Sequence, residues 1–558
     1  MQSNTTPLQR IWRLVVQESR NIRFLYSYAI IAGAISLVLP IGIQAMMGLV
    51  AGGRLSTGWL ILVILICAGV LISGITRLAQ ISILEKIQQR MFVSTAFNFS
   101  NKIGFISGQT RGENKVVELS ERFLDIITVQ KSFAKLLLDF SASVLQIFFG
   151  VLLLAVYHVS FLIFGVAVLL TLATIIRFTW KNGISTARYE SDFKFKTAYW
   201  ITEIARNKNL FRFFKNSSYH VHRTDELLAG YLQGRNGHFK VIYRQAAIAI
   251  GMKVIVTAVL LLLGSWLLVN QSISLGQFLA SEILIITLLS AVEKLILTVE
   301  NIYDSGIALE KMGYVTDIEI PEEQHIDSHV KITSAPEISI KTLNDPDTVV
   351  EIKPGQKVGI LGMPGSGRTA ILRAILGEQH GQLNLKINNI PVRNVSSEEY
   401  NDFTGICFQS STLFEGTIAE NIALREDYNK SEISNLIQVT HLNRFVEEQE
   451  HGFEQKIDIQ SGGLPNNIAR KILLARALYG QPNLLLIDDI WNVFTREELS
   501  QIVQYISSLK STVIIISNVL PVLEQMDKML FFDNNLIEEY NSPELLSHNP
   551  KIKNIVWM

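Results

Sequence analysis

The chain has 558 residues, of which 48% are apolar and only 18% are charged. Soluble proteins usually carry about 25% charged residues, so the composition argues against a fully soluble chain and excludes a disordered one. Fifty basic residues balance fifty acidic residues, and this zero net charge argues against a dedicated nucleic-acid-binding protein. The length exceeds that of one globular core and predicts several domains. Cys67 and Cys407 form neither a disulfide scaffold nor a cysteine-based zinc site, and we expect both to be inert core residues.

The N-terminal segment, residues 1–22, is polar and mildly basic, and the spacing of its apolar residues predicts a short helix on a membrane surface. The apolar run that follows, Phe24–Val50, exceeds the roughly 7–15 residues of a signal-peptide core. Because a bilayer span needs about 20 residues, we expect this run to be a membrane helix and not a cleaved signal.

Further apolar runs along the first half are also long enough to cross a bilayer, and together they predict six spans. After Phe24–Val50 the predicted spans are Thr57–Leu78, Leu136–Val156, Ser160–Thr179, Ala247–Val269 and Ser274–Leu297.

The distribution of lysine and arginine predicts the orientation of these spans. The short loops after the first, third and fifth spans hold one basic residue, whereas Ile81–Phe133 holds seven and Lys181–Arg244 holds twelve. The positive-inside rule therefore places the two long segments and both termini in the cytoplasm. The long segments are poor in Pro and Gly, so we expect them to continue the membrane helices, with turns near residues 104–112 and 207–216.

Two carboxylates occur in the last predicted span. Glu282 and Glu293 are eleven residues apart, about three helical turns, and therefore share a helix face. Carboxylates inside a membrane are costly and usually face a cavity or a partner. One interpretation is a translocation path for a polar or cationic substrate. The other is structural, with Glu282 paired to Lys253 of the fifth span and Glu293 at the cytoplasmic end beside Lys294.

The composition changes after Gly313. Residues 314–335 are polar and charged and are interpreted as a linker, and from Pro336 onward short Val/Ile-rich strands alternate with helices, which indicates an α/β domain. The predicted organisation is a surface helix (1–22), a six-helix membrane domain with cytoplasmic extensions (23–313), a linker (314–335) and an α/β domain (336–558).

A glycine-rich loop joins the predicted strand Lys357–Leu361 to a predicted helix at Ala370–Leu376. It reads Gly-Met-Pro-Gly-Ser-Gly-Arg-Thr and supplies the candidate phosphate-binding residues Gly362, Gly365, Ser366, Gly367, Arg368 and Thr369. In this strand–loop–helix context, backbone N–H groups and the helix N-terminus hold a nucleotide phosphate. The motif requires Lys before Thr369, and Arg368 instead keeps the charge on a wider and longer group.

The chain resembles a half-transporter of the ATP-binding cassette (ABC) exporter family, in which six spans precede one nucleotide-binding domain. The resemblance covers almost the whole chain. The segments Leu37–Gln44 and Ile87–Phe92 are similar to those of the type I secretion and bacteriocin-exporter branch, here without its N-terminal peptidase domain. The implied fold is an α-helical membrane domain followed by an α/β P-loop nucleotide-binding domain.

The resemblance assigns roles to further residues and implies ATP and Mg²⁺ as cofactors. Gln409 matches the Q-loop glutamine that senses Mg²⁺ and the γ-phosphate. Asp488 ends the Walker B strand and would hold Mg²⁺ together with Thr369 and Gln409. The signature core, which closes over ATP on a partner's phosphate loop, corresponds to Ser461, Gly462 and Gly463.

Several residues depart from the family pattern where hydrolysis takes place. Asp489 replaces the glutamate that acts as general base and is shorter in reach. Asn518 occupies the position of the switch histidine, and it can hydrogen-bond a phosphate oxygen but cannot become cationic. The D-loop is replaced by Asn492–Thr495, and the segment from Pro336 to Gly362 contains no aromatic residue to stack on adenine. We therefore expect the chain to bind ATP but to hydrolyse it weakly or not at all at its own site.

Three functional hypotheses remain open from the sequence. The first is an ATP-driven exporter subunit in the cytoplasmic (inner) membrane that pairs with a catalytically competent second half-transporter, and the branch resemblance implies peptide or protein cargo with a periplasmic adaptor and an outer-membrane channel as further partners. The second is a slow homodimeric exporter that uses Asp489 as base. The third is a non-hydrolytic cassette membrane protein that acts as scaffold or regulator, in which Gly367→Asp would alter complex stability without altering transport.

Overall fold

The computed structural model describes residues 7–51, 57–104, 106, 113–213, 218–318, 332, 334–342, 349–378, 383–395, 400, 403–457, 464–533, 536–541, 552 and 555–556. The chain divides into two compact units, residues 1–320 and 321–558. This division lies within the segment interpreted as a linker, although the last helix of the first unit continues to Thr316.

The first unit is built of helices joined by short turns in its described residues. Its helices are α1 (Pro7–Gln17), α2 (Ser19–Ile35), α3 (Val38–Ala51), α4 (Thr57–Ile103), α5 (Glu113–Glu121), α6 (Asp125–Lys135), α7 (Ser141–Tyr157), α8 (Val159–Arg206), α9 (Lys208–Phe213), α10 (Tyr219–Val269) and α11 (Leu275–Thr316). A 3₁₀ turn at Arg122–Leu124 separates α5 from α6, and a π turn at Leu136–Phe140 separates α6 from α7.

The first predicted span is interrupted between α2 and α3. Pro40 has no backbone N–H and its ring cannot pack against the carbonyl of Ser36, four residues earlier. The helix therefore ends at Ile35 and restarts at Val38, so that Pro40 falls in the first turn, where a missing donor costs nothing.

Four helical stretches in the described part of the chain are long and apolar enough to cross a membrane. They are Ser19–Val50, Thr57–Ile103, Val116–Tyr157 and Tyr219–Val269, and each contains one predicted span. The predicted spans Ser160–Thr179 and Ser274–Leu297 lie inside the long helices α8 and α11, so the count of six remains a prediction. The helices α4, α8, α10 and α11 extend well beyond their predicted spans, as expected from their loops' low Pro and Gly content.

The second unit is an α/β domain. Its strands are β1 (Ile338–Thr342), β2 (Val349–Ile352), β3 (Lys357–Gly362), β4 (Leu383–Ile387), β5 (Ile390–Pro391), β6 (Thr404–Cys407), β7 (Gly416–Thr417), β8 (Lys456–Ile457), β9 (Leu484–Ile487), β10 (Thr512–Ile516), β11 (Lys528–Asp533) and β12 (Leu536–Tyr540). Its helices are α12 (Arg368–Ile375), α13 (Ile418–Ala423), α14 (Lys430–Val439), α15 (Asn443–Glu447), α16 (Asn466–Leu478), α17 (Arg496–Ser508) and α18 (Leu520–Leu523).

The largest sheet of this unit has the order β12-β11-β3-β10-β9-β6 and is parallel except at β12. Every residue of β3, β9 and β10 is buried, which explains why these strands are rich in apolar residues and do not alternate between polar and apolar positions. The strands β3, β9 and β10 are neighbours, so the loops at their carboxyl ends meet at one edge of the sheet.

The two cysteines differ from each other. Cys407 is buried, and burial raises the pKa of its thiol to about 12, which agrees with an inert core residue. Cys67 is exposed on α4, so its assignment to a core was wrong. It lies in an apolar stretch long enough to span a bilayer, where apolar side chains can face lipid instead of protein.

Candidate nucleotide-binding site

The phosphate loop, residues 362–369, connects β3 to α12 as the motif predicts. A Cβ atom on Gly362 would lie 2.6 Å from the carbonyl oxygen of Phe532 on β11, so only glycine fits there. Gly365 and Gly367 have φ angles of +85° and +94°, in the left-handed region that favours glycine. The loop backbone therefore depends on the glycines that make its N–H groups available to a phosphate.

Thr369 and Asp488 are brought together at the start of α12 and the end of β9. The Thr369 hydroxyl donates to Asp488 Oδ2 at 3.0 Å, and the backbone N–H of Asp489 donates to Asp488 Oδ1 at 2.9 Å. The backbone N–H of Asp488 itself donates to the carbonyl of Cys407 on β6 at 2.8 Å. Asp488 is thus a buried carboxylate fixed from both sides, beside a hydroxyl.

Arg368 and Asn518 are in direct contact. Arg368 Nη1 donates to Asn518 Oδ1 at 3.0 Å. The same Oδ1 accepts the backbone N–H of Gly362 at 3.3 Å, and Asn518 Nδ2 donates to the Gly362 carbonyl at 3.1 Å. Sequence reasoning placed Asn518 at the switch position, where its side chain can hydrogen-bond a phosphate oxygen. In the structure its carboxamide is occupied by the phosphate loop and by Arg368.

Asp489 lies half-buried next to this contact. Burial raises the pKa of its carboxyl from the usual value, the charge of Asp488 raises it further, and the charge of Arg368 opposes the shift. Burial likewise lowers the pKa of Arg368, while Asp489 and Asp488 oppose that change. The Arg368 cation therefore lies within electrostatic range of the carboxylates of Asp488 and Asp489.

The residues present fit a nucleotide phosphate with Mg²⁺. Thr369 and Asp488 provide the hard oxygen ligands that Mg²⁺ prefers. The Ser366 hydroxyl oxygen is buried inside the loop and has no hydrogen-bond partner in the described part of the chain, which leaves it available to a phosphate oxygen. Arg368 contributes a positive charge at the same place.

Other predicted residues make none of these hydrogen bonds or lie outside the described residues. Gln409 is exposed in the turn after β6, and its neighbour Phe408 is held through a 3.1 Å bond from its N–H to the Ser411 hydroxyl. The signature core Ser461, Gly462 and Gly463 lies outside the described residues, so its placement stays a prediction.

Sequence reasoning missed one link between the strands that carry the site. Trp491 is buried and its Nε1–H donates to the carbonyl of Ile516, the last residue of β10, at 3.1 Å. It thereby joins the segment after Asp489 to the segment that leads to Asn518. The sequence did contain a signal for this link, because a tryptophan stands three residues after Asp488 in a segment that departs from the family pattern.

The membrane carboxylates are arranged differently from the predicted pairing. Lys253 of α10 forms an ion pair with Glu293 at 3.4 Å, and not with Glu282. The proposed Glu282–Lys253 pair was therefore wrong, because Lys253 lies opposite Glu293, the carboxylate nearer the C-terminus of α11. Both side chains of the observed pair are about half exposed, at 51% and 46%.

The chain is similar to known proteins in sequence and in fold. Residues 347–492 match the family model of the ABC transporter. The fold resembles a solved bacterial Atm1-family ABC exporter with ATP bound, with a TM-score of 0.80 over 96% of this chain and 98% of that chain, at 16% identity. The fold is that of an ABC exporter.

Curated relatives with the same domain are distant in sequence. The pediocin PA-1 transport/processing ATP-binding protein PedD of Pediococcus acidilactici is 22% identical over 345 residues, which cover 59% of this chain and 47% of PedD. The probable multidrug resistance ABC transporter ATP-binding/permease protein YheI of Bacillus subtilis (strain 168) is 25% identical over 307 residues, 51% of each protein. The chain thus spans about half the length of the curated relatives that it matches.

Proposed function

We propose that this chain is a half-transporter of an ATP-driven exporter, and that its own nucleotide site binds Mg-ATP but hydrolyses it slowly or not at all. The ABC exporter fold and the ABC transporter family match support the transport function. The contact between Arg368 and Asn518 carries the second part of the proposal, because it occupies the position where the family places its phosphate lysine and its switch histidine.

The binding half of the site supports retention of nucleotide. The phosphate loop, the Thr369–Asp488 pair and the available Ser366 hydroxyl together provide amide, hydroxyl and carboxylate groups. When bound, Mg²⁺ would neutralise phosphate charge and orient the terminal phosphate. The protein's part is to hold Asp488 between two donors and to keep a cation beside it.

The hydrolytic half supports slow turnover. A switch residue must reach the terminal phosphate, yet Asn518 is 7% exposed and its carboxamide makes three hydrogen bonds to Gly362 and Arg368. Releasing them would leave buried backbone groups of Gly362 unpaired, which costs about 1–3 kcal/mol per group. Asp489 also contributes to slow turnover, because its side chain is shorter than the glutamate that the family places at the position of the general base.

A second half-transporter is the proposed partner, and a competent site in that partner would supply most of the ATP hydrolysis. The Ser461–Gly463 signature of this chain would complete the partner's site. The similarity to PedD supports peptide cargo, and an adaptor and an outer-membrane channel belong to the same proposal. The proposed location is the cytoplasmic (inner) membrane, with multiple spans and both termini in the cytoplasm.

The open face of α11 supports a polar translocation path. Twenty of the 42 residues of this helix are buried. Ile286 and Leu297, by contrast, are 61% and 48% exposed, and the partly exposed Glu282, Glu293 and Glu300 share their face of the helix. A lipid-facing stripe would not carry both Glu282 and Glu293 within a predicted span, since charges in a bilayer are costly. A water-accessible path for a polar or cationic cargo accounts for the pattern.

The test is Mg-ATP hydrolysis by the purified full chain in lipid, with Asp489→Ala as the matched variant. We expect nucleotide to bind to the chain alone with turnover near background, and turnover to appear when a second cassette half co-purifies. Wild-type turnover that Asp489→Ala abolishes would contradict the impaired-site proposal. Absence of nucleotide binding by the wild-type chain would contradict the binding proposal.

A slow homodimeric exporter is the second candidate, and one observation favours it. Burial raises the pKa of Asp489, and a general base is most effective when its pKa lies close to the working pH. In this case Asp489→Glu would increase turnover by extending the carboxylate toward the attacking water, whereas Asp489→Asn would abolish it.

A further inference from the structure

Asn518 is placed by the fold so that it can orient Arg368. It follows β10 through Ser517, whose N–H donates to the carbonyl of Ile360 on β3 at 3.0 Å, and whose hydroxyl accepts the N–H of Val519 at 3.0 Å. The backbone before Asn518 is therefore fixed to the strand that leads into the phosphate loop, and the backbone after it is fixed to Ser517. Its carboxamide is in turn paired with both backbone groups of Gly362.

This carboxamide presents one lone pair to Arg368. Asn518 Oδ1 accepts the Gly362 N–H and the Arg368 Nη1–H, and an amide oxygen can accept two donors. The amide orientation is set by Gly362, because Nδ2 must donate to the Gly362 carbonyl. The oxygen consequently faces Arg368.

Within the described part of the chain, Asn518 is the hydrogen-bond partner of Arg368, and the other N–H groups of the guanidinium remain for a ligand. Asp488 and Asp489 lie within electrostatic range of the same group. A guanidinium held at one nitrogen loses less conformational freedom when it binds a phosphate. An arginine side chain without such a hydrogen bond would lose more conformational freedom when it binds the phosphate.

We infer that Asn518 is a positioning residue for Arg368, and that the two act as one unit that sets the affinity of this site for the nucleotide phosphates. The inference rests on the proposed binding of ATP at this site. It assigns Asn518 a fixed support role in place of a switch role. It also explains how arginine is accommodated at a position where the motif calls for the shorter lysine.

The experiment is a double-mutant cycle on the full chain, with Mg-ATP and Mg-ADP affinities measured by isothermal titration. The variants are Asn518→Ala, Arg368→Ala and both together, and Asn421→Ala is the matched control. Asn421 is another buried asparagine in the same unit. Its carboxamide hydrogen-bonds the backbone N–H and carbonyl of Phe414 and accepts a hydrogen bond from Arg476.

We expect Asn518→Ala to weaken nucleotide binding about 10-fold, since it removes the hydrogen bond that holds the charged guanidinium in place. In the Arg368→Ala background the same change should alter affinity less than about 2-fold, because the group that Asn518 supports is absent. Asn421→Ala should leave affinity unchanged. Equal losses in both backgrounds, or no loss in either, would overturn the inference.

Asn518→Ala also removes the partners of Gly362, so folding needs its own readout. Thermal unfolding is recorded for each variant, and Asn518→Ser serves as the second variant because a short hydroxyl keeps a polar atom in the buried position but does not reach Arg368. We expect Asn518→Ser to weaken nucleotide binding in the wild-type background and to alter it little in the Arg368→Ala background, as Asn518→Ala does. A wild-type chain that binds no nucleotide would reject the proposed function, whereas binding without coupling would reject only the positioning role.

Discussion

Two asparagines in the nucleotide-binding unit make nearly the same set of hydrogen bonds, yet their surroundings differ. In the phosphate-loop bracket (Asn518, Gly362 and Arg368), the carboxamide pairs with the N–H and carbonyl of Gly362 and accepts from Arg368 at 3.0 Å. In the Phe414 bracket (Asn421, Phe414 and Arg476), it pairs with the N–H and carbonyl of Phe414 at 3.0 and 2.9 Å and accepts from Arg476 at 3.0 Å.

The difference lies in how the two arginines use their remaining donors. Arg476 also donates to the backbone carbonyls of Asn421 at 2.6 Å and Thr412 at 3.1 Å, so its guanidinium is committed to the protein. Arg368 has Asn518 as its partner in the described residues and has two carboxylates within electrostatic range. The same bracket can therefore stabilise a loop or prepare a ligand site, depending on how many guanidinium donors the protein itself uses.

The largest expected effect is the loss of nucleotide affinity in Arg368→Ala. Removing a charged group that contacts a phosphate should weaken Mg-ATP binding on the order of 100-fold, because charge-assisted hydrogen bonds are the strong ones. The free energy of unfolding without nucleotide should change by less than about 1 kcal/mol, since a partly exposed cation is released from two nearby carboxylates. Titration calorimetry and thermal unfolding measure the two effects. An affinity loss smaller than 3-fold would remove the distinction between the brackets.

Arg476→Ala should show the opposite pattern. Its loss removes hydrogen bonds to Asn421 and Thr412 and leaves their carbonyls without this donor. We expect the free energy of unfolding to fall by about 2–3 kcal/mol, while the affinity of the folded protein for Mg-ATP stays within about 2-fold of the wild-type value. A selective loss of affinity without destabilisation would show that the Phe414 bracket also serves the ligand site.

The sequence predicted the framework of both units better than the contacts within them. The phosphate loop between β3 and α12 was predictable, because glycines at left-handed φ angles and a buried apolar strand leave a direct signature. The ABC exporter fold also followed from motif order. The Arg368–Asn518 contact was not predictable, since it joins residues 150 positions apart through the parallel pairing of β3 and β10.

The same limit applies in the first unit. Spacing along α11 correctly placed Glu282 and Glu293 on one face, but it could not identify which of them faces Lys253 of α10. That choice depends on the axial offset between two long helices, which side-chain packing sets and which a periodic pattern does not record. Residue type alone also misplaced Cys67, because the exposed surface of a membrane helix has the same apolar composition as a protein core.

The smallest expected effect concerns pH, and it separates the brackets by their titratable neighbours. Burial raises the pKa of Asp489 above its usual 3.8, so acidification protonates it at a higher pH than an exposed aspartate. Its charge opposes a phosphate anion and partly cancels Arg368, so protonation should strengthen binding. As the pH is lowered from neutrality toward the usual aspartate range of about pH 4, Mg-ADP affinity should therefore decline less in the wild-type chain than in Asp489→Asn, which lacks the titration.

Linkage gives this prediction a second readout. If protonated Asp489 favours nucleotide, then bound nucleotide must raise the pKa of Asp489 by the same coupling free energy, and binding must take up protons. Titrations in buffers of different ionisation enthalpy should detect this uptake in the wild-type chain and not in Asp489→Asn. The Phe414 bracket offers the contrast, because the titratable group that acts on Arg476 is Cys407, whose pKa of about 12 keeps it neutral over this range. Proton uptake that persists in Asp489→Asn would assign the titration to another group and detach Asp489 from the phosphate-loop bracket.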